Sequence, residues 1–458
     1  MKKVLTPPRV ILLGYIIIIL IGASLLTLPA ASPKGRCSFT DSVFTATSGV
    51  CVTGLIVKDT ANDFTRFGKT VILTLIQIGG LGYMTIASLL FLTIGGRLSI
   101  RQAGMTKEAI LTLPGFGGIG RFVLLVVGIT VGVELIGFII LTTHFLALGF
   151  TLESAFFNGL FHSVSAFCNA GFALFSDSLV RFARDGWMIS TISGLLIIGG
   201  LGFIVLREIY FTIVGQTFRF ARLKPCPTLS LHTKLVLWST LGLLIVGTFG
   251  IMGIEWGGVF KSTSLKYKFY DAFFQASTPR TAGFTVVPIG EYKLGSLFLT
   301  ILLMFIGASP GGTGGGIKTT TTMLLIMSMV AYFRGRKSVT GFGRRVEESV
   351  TQRAFTVALM SVLILIAGIM VLTLTQCGKS FIGLVFETFS AFGTVGLSMG
   401  SIVNPACSLS YDFTSIGKFA IVLTMLAGRV GSLTIGTALI QRVGRETFKL
   451  PHDTVLTG

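Results

Sequence analysis

The stretch GTVGLS, residues 393–398, decides the fold because its core, Thr394-Val395-Gly396, recurs in altered form three more times along the chain. The other three copies read Val52-Thr53-Gly54, Asn169-Ala170-Gly171 and Thr281-Ala282-Gly283. Each glycine has a Phe ten residues before it, a Ser six residues before it and a large apolar residue after it. Successive glycines are 117, 112 and 113 residues apart. This regular spacing with matching offsets indicates four internal repeats.

The composition around these four segments is that of a membrane protein. The 458-residue chain is 52% hydrophobic and only 12% charged, whereas about a quarter of the residues of a soluble domain are charged. A helix needs roughly 20 apolar residues to cross a bilayer. Eight stretches are predicted to do so, starting near residues 10, 70, 122, 187, 234, 296, 354 and 415. We expect the first to be retained, because it lacks the cleavage site of a signal peptide.

Four shorter apolar stretches precede the recurring glycines, near residues 39–48, 154–167, 269–277 and 382–392. They are too short to span and are predicted to be re-entrant pore helices. The predicted fold class is therefore an all-α polytopic membrane protein with four same-orientation repeats of span, pore helix and span around one central pore. The predicted repeats cover residues 1–110, 111–225, 226–345 and 346–458.

The distribution of positive charge predicts the topology. The formal net charge is +19, and Lys and Arg gather in residues 97–121, 207–234 and 334–353 and in both tails. By the positive-inside rule these segments and both termini are cytoplasmic, so the pore helices enter the cytoplasmic (inner) membrane from outside. Because the charge is scattered among loops that flank membrane spans, nucleic-acid binding is disfavoured.

The glycine segments suit a cation filter, in which backbone carbonyls from several loops replace the water shell of K⁺. Glycine adopts backbone conformations that a Cβ forbids, and the C-terminal end of each pore helix presents partial negative charge to a cation. We expect residues 52–54, 169–171, 281–283 and 394–396, here called the filter segments, to bind K⁺ through their carbonyls. Only Thr394-Val395-Gly396 is a full Thr-Val-Gly, so the preference for K⁺ over Na⁺ is expected to be moderate.

The second span of repeat three is predicted to break. Its sequence IGASPGGTGGGIK, residues 306–318, holds Pro310 and six glycines, which disfavour a helix. Non-helical backbone is tolerated at membrane depth only beside protein or a cavity. We expect residues 307–318, the gating loop, to cross the ion path, with Arg429 bonding its carbonyls and Lys318 snorkelling to the cytoplasmic end. The predicted gate residues are Gly311, Gly312, Thr313, Gly314, Gly315, Gly316, Lys318 and Arg429.

A packing role is the alternative for these glycines, and it is the expectation for IGGLGY (78–83) and IGGLGF (198–203). Glu134, at membrane depth, is predicted to form a structural hydrogen bond or a dimer contact, or to serve function directly. A Cys377–Cys407 disulfide is one alternative, but unpaired packing thiols are favoured.

Together these motifs resemble the Trk/Ktr/HKT superfamily of cation transporters. The resemblance covers essentially the whole chain and rests on the filter segments, on GASPGGTGGGIKTTT (307–321) and on AGRVGS (427–432). The chain begins with repeat one and is therefore more similar to the Ktr membrane (B) subunit than to Trk members. The resemblance implies K⁺ uptake, often stimulated by Na⁺, in a homodimer with one pore per subunit. It also implies docking on a cytosolic ring of nucleotide-binding regulatory subunits, so that the nucleotide belongs to the partner.

Three other classes of protein fit less well. The first is an ATP-driven pump. GGTGGGIKT (311–319) suggests a phosphate-binding loop, but such a loop requires glycine directly before its lysine, and here Ile317 separates the two. A secondary cation symporter with a midplane site in broken helices remains the alternative, although it commonly has inverted repeats. No arrangement of catalytic side chains is evident, so an enzyme is not expected.

Overall fold

The computed structural model describes residues 7–82, 119–217, 229–336 and 338–439. The α-helices within these ranges are α1 (Pro7–Leu26), α2 (Phe39–Val50), α3 (Arg66–Leu81), α4 (Ile119–Ala147), α5 (Leu152–Phe167), α6 (Gly186–Leu201), α7 (Phe203–Thr217), α8 (Leu231–Ile254), α9 (Leu265–Ser277), α10 (Leu294–Phe305), α11 (Thr319–Phe333), α12 (Glu348–Thr375), α13 (Phe381–Gly393), α14 (Ser415–Val430) and α15 (Ser432–Leu439). Short 3-10 helices cover Pro29–Ala31, Val180–Phe182, Ile289–Glu291 and Leu409–Asp412. The basic residues predicted at 97–118, at 218–228, at 337 and in the tails lie outside the described residues.

The four predicted short helices are present as α2, α5, α9 and α13. The side chains of Ser38 and Thr151 cap the N-termini of α2 and α5, which satisfies backbone N–H groups that a helix start leaves free. The recurring phenylalanine is fully buried in three of the short helices, at Phe44, Phe161 and Phe386. α9 differs, because Phe273 stacks on Phe269 and is only half-buried, while Phe274 is fully buried instead.

Several helices have the length and apolar character of membrane spans. Among the described residues these are Pro8–Leu26, Val123–Ala147, Leu231–Ile254 and Glu348–Thr375, which belong to the first helices of the four predicted repeats. The pair α6 and α7 passes the same test together, although the two helices meet at an angle of 101°. Three further apolar helices, α10, α11 and α13, are too short to span alone.

The helices close into a ring. Each long first helix packs against the short helix that follows it: α1 on α2, α4 on α5, α8 on α9 and α12 on α13. The helix after each short one packs against the short helix of the next repeat: α3 on α5, α6 on α9, α10 on α13, and α14 on α2. Because the last of these contacts joins the fourth repeat to the first, the four short helices surround a common centre.

The helices that follow the filter segments break at glycines. α3, α6 and α14 end at Gly82, Gly202 and Gly431, whose φ angles are 77°, 93° and 94°. Glycine alone adopts such angles without strain. The prediction that IGGLGY and IGGLGF only ease packing is therefore incomplete, since their third glycines also end helices. The preceding glycines do allow close packing, because a Cβ on Gly199 would collide with the Phe167 carbonyl oxygen.

The chain is not wholly α-helical. Thr340–Gly341 pairs antiparallel with Arg344–Arg345 in a two-stranded hairpin between α11 and α12. Its turn residues, Phe342 and Gly343, have φ angles of 49° and 75°, which is the backbone of a type I′ hairpin turn. The prediction of an all-α chain is wrong at this point, because a glycine-flanked turn stabilises the hairpin locally.

Candidate functional site

The four filter segments share one unusual backbone conformation. The residue two before each glycine and the glycine itself both have a positive φ angle, while the residue between them does not. The angles are 56° and 93° at Val52 and Gly54, 60° and 70° at Asn169 and Gly171, 75° and 79° at Thr281 and Gly283, and 50° and 90° at Thr394 and Gly396. A positive φ is uncommon for residues with a Cβ. Its recurrence at equivalent positions shows that all four segments are held in the same strained form.

The glycines of the filter segments form a closed ring. A Cβ on Gly54 would lie 2.5 Å from the Ala170 carbonyl oxygen, and one on Gly171 would lie 2.9 Å from the Ala282 carbonyl oxygen. A Cβ on Gly283 would collide with the Val395 carbonyl oxygen, and one on Gly396 with the Thr53 carbonyl oxygen. Each glycine thus faces the middle carbonyl of the next segment. The structure therefore brings all twelve predicted filter residues together around one axis.

The recurring serines support the filter backbone. Ser48 Oγ accepts a hydrogen bond from Gly54 N at 3.0 Å, and Ser390 Oγ accepts one from Gly396 N at 3.1 Å. In the second repeat Ser165 Oγ donates instead to the Phe172 carbonyl oxygen at 2.8 Å. In the third repeat the residue that supports the filter backbone is not the recurring serine but the threonine that follows it.

In that repeat Thr278 Oγ1 donates to the Phe284 carbonyl oxygen at 2.6 Å, whereas Ser277 Oγ donates to Phe273 O within its own helix. The recurring serine therefore supports the filter backbone in three of the four segments.

A cavity of about 480 Å³ opens on one side of the ring. All four filter glycines line it, together with the carboxylate-bearing residues Asp59, Asp177 and Glu291. Clustered charge of one sign raises the local concentration of counter-ions. This cavity, here called the vestibule, therefore presents net negative charge beside the four glycines, although Asp177 is paired with Arg181.

Glu387 holds the end of the fourth filter segment through hydrogen bonds. The side chain is fully buried on α13; its Oε1 accepts from Ser410 N at 2.9 Å and from Ser410 Oγ at 2.6 Å, and its Oε2 accepts from Ser398 Oγ at 2.7 Å. Ser398 Oγ in turn accepts from Leu409 N at 2.8 Å. This network is not predicted from the sequence, although the lone carboxylate in the pore-helix sequence FETFS is a signal of it.

The gating loop separates two helices, as expected. α10 ends at Phe305 and α11 begins at Thr319. The ends of the loop are held together, because Gly307 N donates to the Ile317 carbonyl oxygen at 2.8 Å and Ile306 pairs with Ile317. Gly311 and Gly316 have φ angles of 73° and 68°, so the loop needs glycine at both positions.

The loop lies against the N-terminal ends of two filter segments. Gly315 N donates to Thr394 Oγ1 at 2.8 Å. A Cβ on Gly314 would collide with the Thr281 side chain. On its other side the loop is bound to α6, since Ser309 N donates to the Gly200 carbonyl oxygen at 3.0 Å. The loop therefore contacts the third and fourth filter segments at their first residues, Thr281 and Thr394.

Arg429 and Lys318 both bind carbonyl groups of this region. The Arg429 guanidinium donates to the Thr313 carbonyl oxygen with Nη1 and to the Gly79 carbonyl oxygen with Nη2. It therefore joins the loop to α3. Lys318 Nζ donates to the Gly314 carbonyl oxygen at 2.7 Å. The prediction that Lys318 snorkels to the cytoplasmic end is wrong, because the backbone folds back and offers its ammonium a carbonyl close by.

Glu134 has hydrogen-bond partners within the chain, and the two cysteines considered for a disulfide are unpaired. Glu134 Oε2 accepts from Gln77 Nε2 at 3.0 Å and Oε1 lies 3.6 Å from Cys168 Sγ. Because Glu134 is only 8% exposed, it binds within its own chain. Cys377 and Cys407 are free thiols, the first exposed and the second buried.

The fold and site define a class of protein, namely a helical membrane protein with a glycine-lined constriction at the centre of a ring of short helices. Residues 13–446 match the family model TrkH, described as "Cation transport protein". The chain therefore belongs to the TrkH family of cation transport proteins.

Named relatives cover the whole chain. It is 39% identical over 455 residues to the Ktr system potassium uptake protein B of Bacillus subtilis, with 99% of this chain and 97% of that protein covered. It is 37% identical over 467 residues to the potassium/sodium uptake protein NtpJ of Enterococcus hirae, with 100% and 98% covered. The crystal structure of the potassium transporter TrkH from Vibrio parahaemolyticus matches with a TM-score of 0.71 at 18% identity, covers 96% of this chain and 86% of that one, and so shows a shared fold.

Proposed function

We propose that this protein takes up K⁺ across the cytoplasmic membrane through the four filter segments. The observation that carries the proposal is the glycine ring, in which each glycine faces the middle carbonyl of the next segment. Four backbone loops around one axis can replace the water shell of K⁺ with carbonyl oxygens. Relatives named for potassium uptake support this ion.

The proposed architecture has eight spans in four same-orientation repeats, with both termini in the cytoplasm. The helices α3, α6–α7, α10–α11 and α14–α15 would be the second spans, each broken at or near a glycine. The cyclic contacts between second helices and the next short helix support a single central pore. In this topology the vestibule faces outside, and the gating loop lies on the cytoplasmic side of the filter.

The gating loop is proposed to close the pore. It contacts the inner ends of two filter segments through Thr394 and Thr281, and Arg429 fixes it by one hydrogen bond to the Thr313 carbonyl oxygen. The positive charge of Arg429 opposes a cation on the same path. Opening then requires the loop to leave these contacts.

A cytosolic ring of nucleotide-binding regulators is the proposed partner, and the protein is proposed to be a homodimer with one pore per subunit. The names of two relatives assign them to a Ktr system. An exposed basic surface supports docking, since Arg334, Arg336, Arg344 and Arg345 are exposed beside and within the hairpin. Na⁺ is proposed as an activator, and NtpJ is named a potassium/sodium uptake protein.

The test is a flux measurement on purified protein in liposomes. Rubidium uptake into K⁺-loaded vesicles should be competed by external K⁺, and added Na⁺ should raise its rate. A symporter would instead require a gradient of the coupled ion and would show no uptake without it. Absence of protein-dependent rubidium uptake, with and without the regulator, would refute the proposal.

A further inference from the structure

A second cavity, of about 450 Å³, lies between the first and second repeats, apart from the filter. Its polar lining includes Arg66 and Lys69 from α3, and Glu153 and Asn158 from α5. Its apolar lining comprises Phe150, Phe157, Leu174 and Phe175. The cavity thus offers charged groups beside an aromatic surface.

Asn158 lines this cavity and carries a buried, unused hydrogen-bond acceptor. The residue is only 8% exposed, and its Nδ2 donates to the Ser154 carbonyl oxygen at 2.8 Å. Its Oδ1 has no hydrogen-bond partner in the part of the chain that the structure describes. A buried carbonyl oxygen without a partner is unfavourable, so a ligand that donates a hydrogen bond at this point is stabilised.

The cavity carries a net positive charge. The Arg66 guanidinium pairs with Glu153 and lies 5.2 Å from the centre of the Phe157 ring. Lys69 Nζ donates to a neutral group, the Ala61 carbonyl oxygen, at 2.7 Å. Among the lining residues two cations against one carboxylate leave one positive charge, which suits a ligand with a single negative charge, while the Asp59 carboxylate acts on Lys69 from outside the lining.

The cavity lies where a membrane span ends. Helix α4 spans to Ala147, and the lining begins three residues later at Phe150. Large exposed apolar side chains directly adjoin lining residues: Phe67 beside Arg66, and Phe156 beside Phe157, with 44% and 51% of their surfaces exposed. Arg and Lys side chains near helix ends, beside exposed apolar side chains, are typical of the level of lipid headgroups.

We propose that this cavity binds an anionic phospholipid headgroup of the phosphatidylglycerol type. The phosphate would lie near Lys69 and Arg66, and a glycerol hydroxyl would donate to Asn158 Oδ1. The acyl chains would follow the exposed faces of Phe67 and Phe156. A phosphatidylcholine headgroup has no hydrogen to donate, and a phosphatidylethanolamine headgroup adds a second cation beside Lys69.

The bound lipid would stabilise the contact between α3 and α5. The test uses the detergent-solubilised full chain and three lipids with identical acyl chains. These are phosphatidylglycerol, phosphatidylethanol, which is anionic but has no hydroxyl, and phosphatidylcholine. Unfolding temperature and lipid retention in native mass spectrometry are both read out. We expect phosphatidylglycerol to raise the unfolding temperature most and to be retained preferentially.

The variants Lys69→Gln and Asn158→Leu should each abolish that preference, whereas Lys266→Gln, an exposed lysine on α9, should keep it. If Asn158→Leu fails to fold, Lys69→Gln tests the contact to the phosphate, and the comparison with phosphatidylethanol tests the contact to the hydroxyl. Equal stabilisation by phosphatidylglycerol and phosphatidylcholine would overturn the site. Equal stabilisation by phosphatidylglycerol and phosphatidylethanol would overturn the hydroxyl contact to Asn158. These readouts require no transport, so they stand apart from the proposed function.

Discussion

Thr394 Oγ1 accepts a hydrogen bond from Gly315 N at 2.8 Å, so a filter segment and the gating loop share one polar contact. Thr394 is also the residue at which α13 ends, with a φ of 50°. A change in the position of the loop therefore acts directly on the first residue of the fourth filter segment.

The substitution Thr394→Val removes this contact and keeps the shape of the side chain. We expect higher basal rubidium flux, because the loop loses one of its bonds to the filter, worth about 0.5–1.5 kcal/mol. Thr53→Val is the matched control, since the Thr53 hydroxyl has no hydrogen-bond partner among the described residues. Equal flux in both variants would show that the contact does not restrain the loop.

Arg429→Ala should open the pore more strongly than Thr394→Val does. The guanidinium donates to two carbonyl oxygens, at Thr313 and Gly79. A hydrogen bond to a charged group contributes about 1.5–3 kcal/mol, so the loss of either bond shifts the closed–open equilibrium roughly tenfold or more. Rubidium flux without the regulator should rise accordingly. The flux of Arg429→Lys, which keeps the charge, should lie between those of the wild type and Arg429→Ala. Reduced flux in folded Arg429→Ala would contradict the proposal that Arg429 holds the gating loop closed.

Local patterns were enough to predict the short helices and the break in repeat three. The short helices follow from apolar stretches too short to span, and the break from Pro310 and the glycines around it. Each depends on interactions within a few residues. The pairing of Arg429 with the loop is predictable as well, because a guanidinium at membrane depth requires acceptors.

Interactions between distant segments were not predictable in this way. Glu387 binds Ser410, 23 residues away, and nothing in the sequence fixes that approach. Lys318 was predicted to extend toward water, but the loop brings the Gly314 carbonyl oxygen to it. The move from Ser277 to Thr278 as the support of the third segment also depends on how α9 is rotated in the ring.

Deletion of Gly311–Gly316 tests the role of the loop as a whole. Because Ile306 and Ile317 already pair at its base, the two helices can remain connected without it. A gate predicts higher K⁺ flux that depends less on the regulator. The measurement is flux in liposomes, normalised to folded protein by gel filtration. Lost flux in a well-folded deletion variant would rule out a gate.

The exposed basic surface should bind the regulatory ring. Arg334 and Arg336 follow α11 and are exposed; Lys337, predicted to act with them, lies outside the described residues. Replacing all three with Gln should weaken capture of the purified regulator in a salt-dependent way, since exposed charges are screened. The control replaces two other exposed lysines, Lys261 before α9 and Lys266 on α9. If capture is unchanged at raised salt, the docking surface lies elsewhere.

The most direct test of the four-segment filter is the K⁺/Na⁺ permeability ratio of Gly54→Ser. A Cβ at this position would lie 2.5 Å from the Ala170 carbonyl oxygen, so one corner of the ring must widen. Gly335→Ser is the control, because Gly335 also has a positive φ, 64°, but has open space around it. We predict a lower ratio for folded Gly54→Ser and an unchanged ratio for Gly335→Ser. A wild-type ratio in folded Gly54→Ser would contradict the account.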